Sequence, residues 1–179
     1  MDSVVILDTE KPVGFIDTDP DRPLDAPSLL AGLQKMADLI NDTQWTAAQR
    51  AAFNGMKAIV FFLGSVQVGA YELKRPGCDE ANAVFYWEVG EFLANTDPCV
   101  RANIFFHDCW HVVQYKADGF AQDLDERVAR EVDALERQIE AAQAMNCYAG
   151  DIKFLTDFAA DPQAIRDRLA FGVSTMHHA

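Results

Sequence analysis

The region 97–144 constrains the fold most, because it contains two long helical segments in succession. Asp97 followed by Pro98 is a strong helix start, with a side-chain acceptor at the N-cap and proline at the first helical position. This first helix is predicted to end just before Gly119. The second is predicted from about Asp123 to the end of the region. The short loop between them predicts two neighbouring antiparallel helices.

Shorter helices are predicted on both sides of this region. Ser28 resembles an N-cap and precedes an amphipathic pattern that continues to about Ile40. Thr46 is a second N-cap candidate, and the Asp-Pro pair at 161–162 repeats the pattern at 97–98 near the end of the chain. Helix is therefore the prevailing secondary structure that the sequence predicts.

Strand predictions concentrate in the middle of the chain. The segments 66–73 and 83–89 are both strand candidates and are expected to pair. The apolar end of the segment 47–63 is compatible with either a helix or a buried strand, and periodicity alone does not decide between them. We therefore expect one α+β domain over residues 1–179, mostly helical, with a small antiparallel sheet.

The charge of the chain excludes one class of partner. The formal net charge is -13, from 28 acidic and 15 basic side chains. A surface of that sign repels phosphate groups, so we expect neither nucleic-acid binding nor binding to anionic membranes. The acidic N-terminus lacks the features of a signal peptide, and the longest apolar run, at 58–63, is too short to span a bilayer. The expected location is cytoplasmic.

The four cysteines do not form a metal-binding pattern of their own. They are Cys78, Cys99, Cys109 and Cys147, and no two of them have the C-x-x-C spacing of a zinc knuckle. We expect them to be reduced and mostly buried thiols.

The candidate chemistry lies on the first long helix, where residues 107–111 read His-Asp-Cys-Trp-His. Residues four apart on a helix lie on the same face, so His107 and His111 can reach a common metal ion. The chain has only four histidines, and this helix is otherwise apolar around them. The bland alternative is that both are core histidines that hydrogen-bond to carboxylates.

A third ligand is expected from the second long helix, which an antiparallel arrangement brings back beside the first. Its acidic candidates are Glu126, Glu131, Asp133 and Glu136. Glu131 is equally compatible with a solvated position paired to a nearby arginine: Arg127, Arg130 or Arg137. His177 and His178 are further ligands only if the C-terminal tail folds back.

These residues resemble the zincin-like metallopeptidases of the gluzincin type. That family has His-Glu-x-x-His on one helix, often followed by an apolar pair and Gln, and a Glu ligand in a Glu-x-x-Ala pattern on the next helix. Here the sequence reads HDCWHVVQ at 107–114 and EVDA at 131–134. The resemblance implies a zincin-like fold and one zinc ion per chain, held by His107, His111 and Glu131. It covers the region 104–134.

The resemblance also implies a zinc-dependent hydrolase, in which a metal-bound water attacks a peptide or protein substrate. Asp108 then takes the catalytic position of the general base, where the family has Glu. Asp is one methylene shorter, and a misplacement of about 1 Å can cost roughly a hundredfold in rate. The alternative is therefore a non-catalytic binding or interaction protein that keeps the helix pair, with a structural metal or none.

Other chemistry fits the sequence less well. His107-Asp108 is also similar to the His-Asp doublet of HD-type phosphohydrolases, but these need a further histidine upstream, and residues 1–106 contain none. A di-iron bundle needs two Glu-x-x-His units, which are absent from the sequence. Neither a P-loop nor a G-x-G-x-x-G motif is present.

Overall fold

The computed structural model describes residues 2–16, 24–69 and 71–171. These residues form seven strands and seven helices: β1 Ser3–Ile6, β2 Thr9–Ile16, α1 Ala26–Asp42, α2 Ala47–Gly55, β3 Ala58–Phe62, β4 Val66–Val68, β5 Tyr71–Leu73, β6 Gly77–Asp79, β7 Val84–Glu88, α3 Val89–Ala94, α4 Pro98–Asp118, α5 Leu124–Ala144, α6 Ala149–Ala159 and α7 Pro162–Phe171. The fold is mixed, and helix is the main secondary structure, as predicted.

The two long helices begin and end close to the predicted residues. The Asp97 carboxylate accepts a hydrogen bond from the backbone N–H of Cys99 at the start of α4. This helix ends at Gly119, whose φ of 74° is a conformation that glycine adopts without strain. Asp123 caps α5 in the same way, by accepting a hydrogen bond from the backbone N–H of Glu126.

The segment 47–63 divides into a helix and a strand. Thr46 and Gln49 form a capping box that starts α2, and Gly55 ends it. The apolar run that follows becomes β3, which pairs in parallel with both β2 and β7. An apolar run suits this central strand, because its side chains are buried or partly buried on both faces of the sheet.

The sheet differs from the antiparallel one that we expected. Its five strands have the order β1-β2-β3-β7-β6, with parallel pairs in the centre and antiparallel pairs at the edges. The expected pairing of 66–73 with 83–89 is wrong. Gly69, with φ of 58°, turns the first segment back on itself, so β4 and β5 form a separate hairpin. β7 is left to pair with β3 and β6.

Helix α4 lies between two groups of packed elements. Its side chains Phe105, Phe106 and Val112 are fully buried in the main core, together with side chains of α1, α2 and the sheet. On its other side α4 packs along α5, which forms a second core with α6 and α7 around Val128, Leu135 and Ile165. The groove between α4 and α5 therefore has a packed core behind each of its two helices.

The cysteine prediction is half correct. Cys78 and Cys109 are free and buried, as expected. Cys99 and Cys147, however, form a disulfide across 48 residues of sequence, with their Cα atoms 5.7 Å apart. The antiparallel packing brings the start of α4 beside the end of α5, and this long-range proximity has no signature in the spacing of the cysteines.

No helix within residues 24–69 and 71–171 is both long enough and apolar enough to cross a bilayer.

Candidate metal centre

The structure brings His107, His111 and Glu131 together in the groove between α4 and α5. The two histidine Nε2 atoms are 3.0 Å apart. The Glu131 carboxylate reaches both, with Oε1 3.5 Å from His107 Nε2 and Oε2 3.3 Å from His111 Nε2. These are the three ligands that the resemblance implied. His111 is buried, and the other two are partly buried.

The packing of α4 explains why the two imidazoles face α5. The face of α4 that carries Phe105, Cys109 and Val112 enters the main core. His107 and His111 are one helical turn apart on a different face, and this face lies against α5. Glu131 lies near the middle of α5, at the level where the antiparallel helix passes the two histidines.

The donor atoms lie close enough together to hold one metal ion. Metal–ligand bonds of 2.0–2.1 Å at tetrahedral angles place ligand atoms roughly 3.3–3.4 Å from one another. The three distances observed here are 3.0, 3.3 and 3.5 Å. Two imidazole nitrogens and one carboxylate can therefore hold a metal ion, and they leave a fourth tetrahedral position for another group.

The other acidic side chains of α5 are engaged elsewhere or point away. Glu126 accepts hydrogen bonds from Arg130 and from the backbone of Gln122. Asp133 accepts a hydrogen bond of 2.6 Å from the indole N–H of Trp110. Glu136 is exposed. His177 and His178 lie outside the described residues.

Electrostatics couple the two charged members of the group when no metal is present. Burial acts against protonation of His111, but the hydrogen bond and the charge of Glu131 outweigh it and raise the pKa of His111 to about 9. Burial alone would raise the pKa of Glu131, yet the two imidazoles hold this pKa well below its ordinary value. Without a metal, these shifts favour an ion pair between protonated His111 and the Glu131 carboxylate, and a bound cation would compete with the proton of His111.

Asp108 lies next to the histidines but is held from the sheet side. Its backbone carbonyl lies 3.7 Å from the Cys78 thiol, and the same thiol interacts with its carboxyl group. Burial raises the pKa of the Asp108 carboxyl, although the two imidazoles and the thiol act in the opposite direction. The structure therefore places Asp108 near the ligands, partly buried and in contact with Cys78 on β6.

A small pocket opens beside His111 and Glu131. It is also lined by Glu80, Gln114, Ala121, Arg127, Arg130 and Leu169. Glu80 and Arg127 are only 6% and 8% exposed, so a buried acidic side chain and a buried basic side chain both line this pocket. Glu80 is not among the site residues that the sequence predicts, and Arg127 is expected there only as a partner of Glu131.

The missed residues have weak signals in the sequence. Cys78 and Glu80 are both buried and two residues apart, which is the spacing of one strand face, but Glu80 lies just past the end of the three-residue strand β6. On α5, Arg127 lies four residues before Glu131 and Gln138 lies seven after it, so all three share a helix face. These spacings become informative only once Glu131 is known to face α4.

Comparison with known proteins adds no identification. No protein-family model matches the chain, and no curated protein or solved structure is significantly similar to it.

Proposed function

We propose that this chain is a zinc-dependent hydrolase with one ion per chain, bound by His107, His111 and Glu131. The observation that carries the proposal is that three ligand atoms lie within 4.8 Å of one another beside a pocket. Catalytic zinc sites typically have three protein ligands and keep the fourth position for water or substrate. Two histidines and one carboxylate are a donor set of this kind.

A peptide or protein substrate and a zincin-like fold are the finer parts of the proposal. They are supported by the motif at 107–114 with Glu131 on the next helix. A zinc ion in such a site acts as a Lewis acid and lowers the pKa of a bound water to about 7. The chain would contribute the Asp108 carboxylate as proton acceptor.

A non-catalytic role is the second candidate, and Asp108 is the observation that favours it. Asp108 is shorter than the Glu of the motif, and it interacts with the Cys78 thiol. Under this proposal the helix pair binds a partner and the metal, if bound, is structural. A measurement of zinc binding would then give the same result for both candidate functions. Only a measurement of substrate turnover would distinguish them.

The first experiment is elemental analysis of protein purified without added metal, followed by zinc titration against a chelator of known affinity. The wild type is expected to bind about one equivalent of zinc. His107→Ala and Glu131→Ala each remove one metal ligand. Each should weaken zinc binding by about a hundredfold or more, because even the loss of an outer-shell partner typically costs tenfold to a hundredfold. Glu136→Ala, an exposed site on the same helix, is the matched control and should bind like the wild type. Less than a tenth of an equivalent, with no uptake of added zinc, refutes the proposal.

The expected cytoplasmic location remains a prediction. Structural disulfides are rare in that compartment. The redox state of Cys99 and Cys147 in intact cells, measured by alkylation before and after reduction, is therefore the measurement that tests it.

A further inference from the structure

In the candidate metal centre, the Nδ1 atom of each histidine faces the side-chain amide of a glutamine. His111 Nδ1 lies 2.8 Å from Gln114 Oε1, and His107 Nδ1 lies 3.0 Å from Gln138 Oε1. Gln138 is 7% exposed, so its contact with His107 is shielded from water. Histidine ligands in proteins frequently donate this second N–H to a carboxylate. Here both acceptors are uncharged.

The orientation of the Gln114 amide is determined by its other contacts. Its Nε2 lies 2.8 Å from Asp133 Oδ2 and 2.9 Å from the backbone carbonyl oxygen of Arg130. Both of these groups only accept hydrogen bonds, so the NH₂ end must face them, and the oxygen must face His111. An oxygen accepts, so Nδ1 of His111 carries the hydrogen. In the neutral ring Nε2 is then the lone pair that points at Glu131 and His107.

The negative charge in this hydrogen-bond network is on Asp133, which is linked to His111 through Gln114. Asp133 is held by the indole N–H of Trp110 at 2.6 Å and by Arg137 Nε at 3.6 Å. Gln114 stands between this carboxylate and His111. Gln114 links Asp133 to His111 through hydrogen bonds. Because its amide is neutral, it places no negative charge next to the imidazole.

We propose that Gln114 and Gln138 are positioning residues: they lock both imidazoles with Nε2 toward the cation, and their neutrality keeps the bound ion strongly electrophilic. The inference rests on the proposed metal site and deepens it. A carboxylate behind a histidine ligand raises the basicity of that ligand, so it donates more charge to the metal. With amides there, Glu131 is the one anionic ligand of the described group, and a divalent ion keeps a net positive charge. This arrangement suits a metal that polarises a substrate.

Substitution by glutamate is expected to change the zinc affinity in opposite directions at the two glutamine positions. Gln138→Glu places a carboxylate behind His107 and should tighten zinc binding about tenfold, whereas the near-isosteric Gln138→Met removes the acceptor and should weaken it about tenfold or more. Gln114→Glu should instead weaken binding, because its new carboxylate would lie against Asp133 Oδ2, where the amide N–H now is. A residue with a merely structural role would not give affinity changes of opposite sign.

The test is competitive zinc titration of these three variants beside the wild type, with Gln143→Glu and Gln143→Met as controls. Gln143 is exposed near the end of the same helix and should give wild-type affinity. Nitrogen-15 spectra of the zinc-loaded wild type should show Nδ1 protonated in both histidines. Circular dichroism checks the fold, and if Gln138→Met does not fold, the opposite responses of Gln138→Glu and Gln114→Glu still decide.

The outcomes separate this inference from the proposed function. If the wild type takes up no zinc, both fail. If the wild type binds zinc while the Gln138 variants behave like the Gln143 controls, or if Gln138→Glu weakens binding, the positioning role is refuted and the metal site stands. Protonation of Nε2 rather than Nδ1 in the zinc-loaded protein refutes it equally.

Discussion

The Nε2 atoms of His107 and His111 lie 3.0 Å apart and face the same carboxylate, that of Glu131. Two nitrogen lone pairs approach this closely only when a proton or a metal cation lies between them. In the metal-free protein Glu131 raises the pKa of His111 to about 9, which favours protonation of this imidazole. Proton and cation therefore compete for one buried position, and several measurable consequences follow from that competition.

Zinc should stabilise the folded chain, because it binds the assembled group and not the separated ligands of the unfolded state. At a free concentration one hundred times the dissociation constant, the gain in unfolding free energy is about 2.7 kcal/mol. For a chain of this size that corresponds to a rise in Tm of about 5–10 °C. Differential scanning calorimetry of the wild type and Glu131→Ala, with and without zinc, measures it. An equal rise in both proteins would show that zinc stabilises through another site.

The affinity for zinc should rise with pH up to about 9, the pKa of His111 in the metal-free protein. Below this value zinc must displace one proton, which costs about tenfold in affinity per pH unit. Chelator competition at several pH values gives the slope, and calorimetry in buffers of different ionisation enthalpy counts the released proton. A flat profile between pH 6.5 and 8.5 would contradict the coupling.

The same ion pair contributes to the stability of the metal-free protein, with a defined sign. The pKa of His111 is raised on folding from its ordinary 6.5 to about 9, so its contribution is complete below the unfolded value and is lost as pH rises through about 9. Urea denaturation in the presence of a chelator should show this loss in the wild type. His111→Ala should lack it, and if the variant keeps the same dependence, another group is responsible.

Changing the length of the side chain at position 108 tests whether the chain is a hydrolase or a binding protein. If Asp108 is the proton acceptor, Asp108→Glu should raise hydrolysis of an unfolded protein substrate by about a hundredfold, because the carboxylate regains its reach. Asp108→Ala should abolish turnover while changing zinc affinity by less than threefold. Equal inactivity of the wild type and Asp108→Glu, with zinc bound, would support the non-catalytic role.

Glu80 supplies the control for the previous experiment, because it is a buried acidic side chain that lines the pocket beside His111 and is not a proposed ligand. Glu80→Gln is nearly isosteric and should leave the effect of Asp108→Glu intact. If Glu80→Gln abolishes turnover while Asp108→Ala does not, the assignment of the proton acceptor to Asp108 is wrong.

Loss of the disulfide should destabilise the helix pair. Cys147→Ser frees the loop of 48 residues that Cys99 and Cys147 close, which includes all three candidate ligands. The expected loss of unfolding free energy is about 2–4 kcal/mol by urea denaturation. The reduced wild type should match the variant, and a Cys99→Ser/Cys147→Ser protein should not respond to reductant. Equal stability of the oxidised and reduced wild type would show that the bond does not contribute.

Much of the local structure follows from the sequence, because its causes are local. Asp97 with Pro98 sets the start of α4, and Gly119 ends it, since caps and φ preferences act within one turn. The four-residue spacing of His107 and His111 places both on one helix face for the same reason. These features hold whatever the helix packs against.

Tertiary packing decided what has no local cause. The sheet became mixed because β3 pairs with two strands distant in sequence, and Cys99 met Cys147 because α4 and α5 run antiparallel. The choice of Glu131 among the acids of α5 depends on the register between two helices. Gln138 on α5 contacts His107, and Glu80, which follows β6, lines the pocket beside His111. Spacing along one chain cannot specify such contacts, since they depend on how separate elements align.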